Sequence, residues 1–166
     1  MEATRPSLTA LVDRHRPEIL KYLVRLLGNS HDAQDVCQET FLRAHRAFAR
    51  IGPDANSRAW LYRIATNAAR TAARRRGRDG SAVSDLDVDS LPARAPASID
   101  EREELYLVAR AMQALPARQR AALVLRRFHD LSYAEIAATL GGNAAAARAN
   151  VYQALRKLRA AFGGRS

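Results

Sequence analysis

The sequence holds a single cysteine, Cys37, and only two lysines, Lys21 and Lys157. One cysteine excludes an intramolecular disulfide, so the fold must rest on packing. Cys37 lies on an apolar helical stripe, which gives it a packing role. No run approaches the roughly 18 consecutive apolar residues of a membrane span, and Met1 to Ser7 lacks the apolar core of a signal peptide. These absences predict a cytoplasmic protein without membrane insertion. The alternating β-branched pattern of strands is also missing. His15, His31, His45 and His129 lack metal-ligand spacing, there is no phosphate-cradling glycine-rich loop, and no nucleophile occupies a recognisable motif. Nothing therefore points to an enzyme, a metal or a cofactor.

What the sequence has in abundance is arginine. Its 166 residues carry 27 Lys and Arg against 17 Asp and Glu, a formal charge of +10 with a pI near 10.9. Basic groups that neutralise phosphates release condensed counterions, so a nucleic acid is the favoured partner over an acidic membrane. Arginine adds a planar fork suited to phosphates and guanine edges. An Ala- and Arg-rich genome would leave the same compositional mark. With 48% hydrophobic residues the chain can bury one ordinary domain or two small ones.

Charge divides the chain in three. Residues 1–78 carry 15 basic and 7 acidic side chains, 79–104 carry 2 and 8, and 105–166 carry 10 and 2. The stretch from Asp79 to about Ala97 contains Gly80, Ser81, Ser84, Ser90, Pro92 and Pro96 and has no helical apolar period, as a linker would. The expected organisation is an N-terminal domain over 1–78, a flexible acidic linker over 79–98 and a C-terminal domain over 99–166. On both sides Ala, Leu, Arg and Glu recur at three- and four-residue intervals, which makes the fold class all-α. In the first half helices are predicted from about Ser7 to Leu27, ended by Gly28-Asn29, from about His31 to Arg50, stopped by Gly52-Pro53, and from about Ser57 to a break at Gly77. In the second half they run over about Ile99–Ala114, Pro116–His129, Ser132–Leu140 and Asn143–Phe162. Pro116 suits a first helical turn, and Ser132 with Glu135 forms a capping-box pattern.

The run LSYAEIAATLGGNAAAARANVYQALRKLR, Leu131 to Arg159, carries the most specific chemistry. A short helix, a Gly-Gly turn and a longer basic helix make a helix-turn-helix. Ile136, Ala137 and Leu140 pack on Ala147, Val151, Leu155 and Leu158, which turns Ala146, Arg148, Ala149, Asn150 and Gln153 outward for a major groove. Arg148, Asn150 and Gln153 are the candidate base contacts, and Arg126, Arg127, Arg156 and Arg159 the candidate phosphate contacts. A solvated amphipathic helix would also present such residues.

The longer run ALPARQRAALVLRRFHDLSYAEIAATLG resembles the fourth conserved region of extracytoplasmic-function sigma factors of the sigma-70 family. DAQDVCQETFLRAHRAF, followed by WLYRIATNAARTAARRR, is similar to the second conserved region of that family. The two resemblances come in the family's order and cover most of the chain outside the first helix and the linker. They imply an alternative sigma factor that binds bacterial core RNA polymerase, through the β′ clamp and the β subunit, and directs promoter-specific initiation. Region 2 would open the minus-10 element as melted single strand, and region 4 would bind the minus-35 element as duplex. The family often takes an anti-sigma factor, and no residue here identifies one.

Carried over by position, Asp35, Gln38 and Glu39 fall where the family docks on the β′ coiled coil. Asp32, Asp35 and Glu39 also share a helical stripe of carboxylates, although an acid at a helix start, such as Asp32, complements the dipole in any case. In the third helix Trp60 offers a stacking face and Asn67 hydrogen-bonding capacity, while Arg63, Arg70, Arg74, Arg75 and Arg76 form a basic track for melted DNA. Trp60 reads more readily as a core residue, with Arg50, Asn56, Ser57 and Arg58 in the preceding loop as alternative base contacts, and the arginine run also reads as a soluble helix end.

Where family members show a Gly-Thr-Val-Lys-Ser-Arg type of run, this chain has Ala145-Ala146-Ala147-Arg148-Ala149-Asn150, which shifts minus-35 readout toward phosphates and DNA shape. A linker of about 25 residues reaches roughly 80–90 Å extended and averages about 25–30 Å, while promoter elements two helical turns apart are separated by about 70 Å. The linker must be drawn out along a surface, where Asp85, Asp87 and Asp89 mimic phosphates or simply solubilise. Two other readings stay open: a stand-alone helix-turn-helix regulator, and a polymerase-binding regulator without promoter recognition.

Overall fold

A computed structural model describes residues 7–52, 56–78 and 98–163, and among these the secondary structure is helical. The expected linker, with Asp85, Asp87 and Asp89, lies outside the described residues except for Ser98. In the first half α1 spans Leu8–Leu27, α2 Ser30–Ala47 and α3 Ser57–Arg78; in the second, α4 spans Ile99–Ala114, α5 Ala117–Phe128, α6 Tyr133–Leu140 and α7 Ala144–Phe162.

Side chains that the sequence places at helix starts take up the orphan backbone donors there. Ser7 accepts from Ala10 N, Asn29 from Asp32 N, Ser98 from Glu101 N and Asn143 from Ala146 N. Gly28 ends α1 at φ 72, a left-handed conformation that costs glycine little, and its N–H donates to Val24 O. Two boundaries differ from expectation. The second helix was expected to reach Arg50, but it closes at Ala47 and tightens into a 3-10 turn over Phe48–Arg50. The third was expected to break at Gly77, yet α3 runs through it to Arg78. A single glycine costs a helix only about 1 kcal/mol, and nothing packs against Gly77 to force a turn.

Helices α1, α2 and α3 pack around Ile19, Leu23, Val36, Phe41, Leu61 and Ala65, with Tyr22 and Tyr62 fully buried among them. In the second half Leu123, Val124, Leu125, Leu131, Ile136 and Val151 fill the space between α5, α6 and α7. The two cores are continuous. α1 packs on α5, and α3 on α6, so that the buried apolar side chains form one cluster.

Polar groups reinforce that junction. Arg120 donates from Nη1 to Leu26 O (3.1 Å), from Nε to Met112 O (3.0 Å), and from Nη2 to Gln113 O (3.0 Å) and Leu115 O (2.9 Å). One guanidinium thereby serves carbonyls at the ends of α1 and α4, where helical partners run out. Gln113 Nε2 adds a bond to Leu26 O at 3.1 Å.

Candidate nucleic-acid interface

α3 carries a continuous basic face. Arg63, Asn67, Arg70 and Arg74 are exposed at spacings of four, three and four residues, which puts them on one side of the helix. Arg75 is exposed beside them. Arg76 turns away, half-buried, to pair with Asp32. Trp60 is half-buried and packs on the core, which favours its structural reading, and Arg50 is exposed on the 3-10 turn.

The remaining candidates at the start of α3 face the second half of the molecule. Asn56 caps α3 by accepting from Ala59 N (3.1 Å), while its Nδ2 donates to Glu135 Oε2 of α6 (2.9 Å). Half-buried Arg58 donates from Nη2 to His129 O (2.6 Å) and from Nε to Glu18 Oε2 (3.1 Å). Ser57 between them is half-buried. Arg70, though exposed, lines a cleft between the halves with Arg118 and Arg120.

Behind Arg58 lies a buried polar seam. The Tyr62 hydroxyl donates to Glu18 Oε2 (3.0 Å) and stands 2.8 Å from His129 Nδ1. With the phenolic hydrogen committed to the carboxylate, the Tyr62 oxygen accepts from Nδ1–H, which assigns His129 the Nδ1–H tautomer by its network. Tyr22, Tyr62 and His129 meet edge to face, with centroids 5.2–5.7 Å apart. Burial first, then the positive charge of Arg25, takes the His129 pKa down to about 4, so the ring is neutral. Burial opposes the Glu18 carboxylate, but hydrogen bonding to His15 and Tyr62 and the charge of Arg58 outweigh it and hold its pKa below the ordinary value. The sequence had shown His129 only as a histidine without metal spacing.

α7 presents a different surface. Gly141 (φ 86) and Gly142 (φ 90) make the turn from α6, and Ala147, Val151 and Ala154 bury the inner face of α7. Arg148, Ala149, Gln153, Arg156 and Arg159 are exposed as expected, and so is Arg127 on α5. Ala146 and Asn150 are half-buried instead, because the helix is rotated so that its outermost line passes through Ala145, Arg148, Ala149 and Tyr152. Tyr152, 62% exposed, stands on this outer face and was not among the expected residues. Arg126 is half-buried, donating to Leu131 O, and both it and Arg148 lie over the ring of Tyr133.

On α2, Asp35 and Gln38 are exposed and Glu39 is half-buried, accepting from Arg43 Nε at 2.9 Å. Asp32 does not belong to this acidic face, because Arg76 takes its carboxylate inward against α3. Leu42, 49% exposed, completes the stripe at positions 35, 38, 39 and 42, an apolar centre that a search for carboxylates passes over.

Among the described residues no three His, Cys, Asp or Glu side chains gather to hold a metal, and no helix is long and apolar enough to cross a membrane. The family model described as Sigma-70 region 2 matches residues 11–79, and that described as Sigma-70, region 4 matches residues 105–158. The chain is 36% identical over 165 residues to the ECF RNA polymerase sigma factor SigE of Mycolicibacterium smegmatis, spanning 95% of this chain and 62% of that protein. It is 34% identical over 154 residues to the RNA polymerase sigma-H factor of Pseudomonas aeruginosa, spanning 87% of this chain and 80% of that one. Among solved structures it is similar to the sigma factor RpoE bound to the anti-sigma factor NepR from Bartonella quintana, with TM-score 0.75 and 25% identity over 93% of this chain and 96% of that one. It is also similar to CnrH in complex with the cytosolic domain of CnrY, with TM-score 0.70 and 30% identity over 96% and 89%.

Proposed function

The chain belongs to the extracytoplasmic-function group of the sigma-70 family, and on that premise we propose that it binds core RNA polymerase in the cytoplasm and directs initiation at particular promoters. The observation that carries the reading is the match of two different family regions, in order, to the two helical halves. Residues 1–78 form the region 2 domain, 79–98 the linker and 99–166 the region 4 domain. Asp35, Gln38 and Glu39, with Leu42 at their centre, dock on the β′ clamp. The α3 stripe of Arg63, Asn67, Arg70 and Arg74 receives the minus-10 strand, where arginines compensate for the base stacking that melting breaks. α7 enters the minus-35 major groove with Arg148 and Gln153 toward bases, while Arg127, Arg156 and Arg159 hold phosphates. The exposed Arg148 and Gln153 favour this over a polymerase-binding protein without promoter recognition.

The packed arrangement is a resting state in this reading. A compact chain of this length has a radius of gyration of about 15 Å, too small to reach elements about 70 Å apart. Binding to polymerase and promoter must therefore part α1 and α3 from α5 and α6, which frees Asn56 and Arg58 for the minus-10 element. A protein partner of the anti-sigma kind, as bound to RpoE in the similar structure, would act by holding or reshaping the packed form.

The test is reconstituted transcription with core polymerase on a promoter library, read by start-site sequencing. Initiation at a shared pair of sequence elements is expected. No association with core enzyme and no initiation from any template would overturn the reading.

A further inference from the structure

Arg148 is placed on a stretch of helix where most outward neighbours are short. Ala144, Ala145 and Ala149 have no side-chain length with which to hold a guanidinium, Tyr152 stands one turn further on, and a free arginine loses considerable rotamer freedom when it is fixed against a base. A partner is supplied from another helix. The Arg148 Cζ lies 5.1 Å from the ring centroid of Tyr133, and the Arg126 Cζ lies 4.4 Å from the same centroid, both within cation–π range. Three helices thus meet at one phenol ring: Arg126 comes from α5, Tyr133 from α6 and Arg148 from α7.

The ring is itself held. Tyr133 is the first residue of α6, inside the capping box, in which Ser132 Oγ accepts from Glu135 N (3.1 Å) and Glu135 Oε1 accepts from Ser132 N (3.0 Å). Its side chain is half-buried and packs on the core cluster. Arg126 is further fixed by donating to Leu131 O at 3.1 Å. Arg148, by contrast, is exposed and keeps its fork available.

We propose that Tyr133 is the positioning residue of promoter readout in this chain, setting Arg148 toward a guanine edge in the major groove and Arg126 toward the adjoining backbone. The inference rests on the reading of α7 as the minus-35 recognition helix. It assigns a role to a residue outside the groove-facing set, and it explains how an alanine-rich helix achieves direct readout. Arginine with a fixed plane offers two parallel donors to guanine O6 and N7, whereas a freely rotating one discriminates less.

The experiment uses the full chain with core polymerase and a duplex library randomised over the upstream element, with bound sequences read out. Tyr133→Phe keeps the ring and should retain the wild-type preference. Tyr133→Leu keeps apolar volume but removes the π face, and should lower discrimination at one guanine position by about fivefold or more while leaving preferences at the other positions in place. Adding Tyr133→Leu to Arg148→Ala should cost little further at that position, because the ring acts through the guanidinium. Thermal melting of each variant separates lost fold from lost aim. Full discrimination by a folded Tyr133→Leu variant, or additive losses in the double variant, would overturn the proposal. A wild-type chain that selects no sequence would instead overturn the functional reading beneath it.

Discussion

The two helices proposed to face DNA are built on opposite plans. α3 spreads charge along its length, with Arg63, Arg70, Arg74 and Arg75 exposed, and the start of that helix is covered by the other half of the molecule. The outer face of α7 is uncovered, and its first turns are sparse in charge, with Arg148 among Ala144, Ala145 and Ala149, while Arg156, Lys157 and Arg159 gather toward its end. Redundant charge suits a surface that must grip a strand of any sequence, since each phosphate contact adds a similar share of affinity. A sparse surface concentrates selectivity in few contacts. The first is tolerant of substitution but must be unveiled, and the second is ready but fragile.

The largest effect should come from lifting the cover. Arg58→Ala removes hydrogen bonds to His129 O and Glu18 and leaves the Glu18 carboxylate without its ion pair, at a cost of about 1.5–3 kcal/mol for charge-assisted bonds. Small-angle scattering should then show a larger radius for the free chain; an unchanged radius would mean that apolar packing alone holds the halves together. Next, Arg148→Ala should cost about 1–3 kcal/mol at one minus-35 base pair and relax preference there. Arg74→Ala should weaken binding evenly across sequences and lower the salt slope by about 1. If Arg74→Ala proved sequence-selective, or Arg148→Ala uniform, the contrast between the helices would be lost.

Acid should act on the seam in a defined direction. An undocked His129 takes up a proton near its ordinary pKa of about 6.5, whereas the docked ring resists until about 4. The docked form is therefore fully favoured at neutral pH and progressively weakened as pH falls from about 6.5 toward 4. Glu18, whose carboxylate is held below its ordinary pKa by His15, Arg58 and Tyr62 of its own half, keeps these partners when the halves part and adds nothing to this dependence. Scattering at pH 7 and pH 5 should show partial expansion at the lower value, and a His129→Phe chain should lose most of that dependence. The smallest effect is expected from Glu39→Ala, whose partly exposed bond to Arg43 contributes roughly 0–1 kcal/mol to the fold. Helical content should stay unchanged while core-polymerase affinity falls, and an undiminished affinity would remove Glu39 from the clamp-facing surface.

Local order was legible in the sequence wherever a side chain served its own helix. Ser7, Asn143 and the Ser132–Glu135 pair sit at starts that periodicity alone locates, and Gly28 and Gly141 sit at ends. The junction between the halves was not legible, because several of its acceptors are backbone carbonyls, Leu26 O for Arg120 and Gln113 and His129 O for Arg58, and its side-chain pairs, Asn56 with Glu135 and Tyr62 with His129, lie far apart in the chain. Carbonyls carry no residue signature. The same limit explains the misread faces of α2 and α7. Asp32 and Arg76 are 44 positions apart, so only folding reveals that they pair, and the rotation of α7 that exposes Tyr152 and half-buries Asn150 depends on how α5 and α6 receive it.

Glu135 has two oxygens, and they answer to different masters. Oε1 closes the cap on α6, while Oε2 receives Asn56 from across the molecule. Parting the halves therefore breaks only the second attachment, and the first turn of α6 stays wound. In the proposed opening, the protein would swing like a jointed instrument whose reading head is already set.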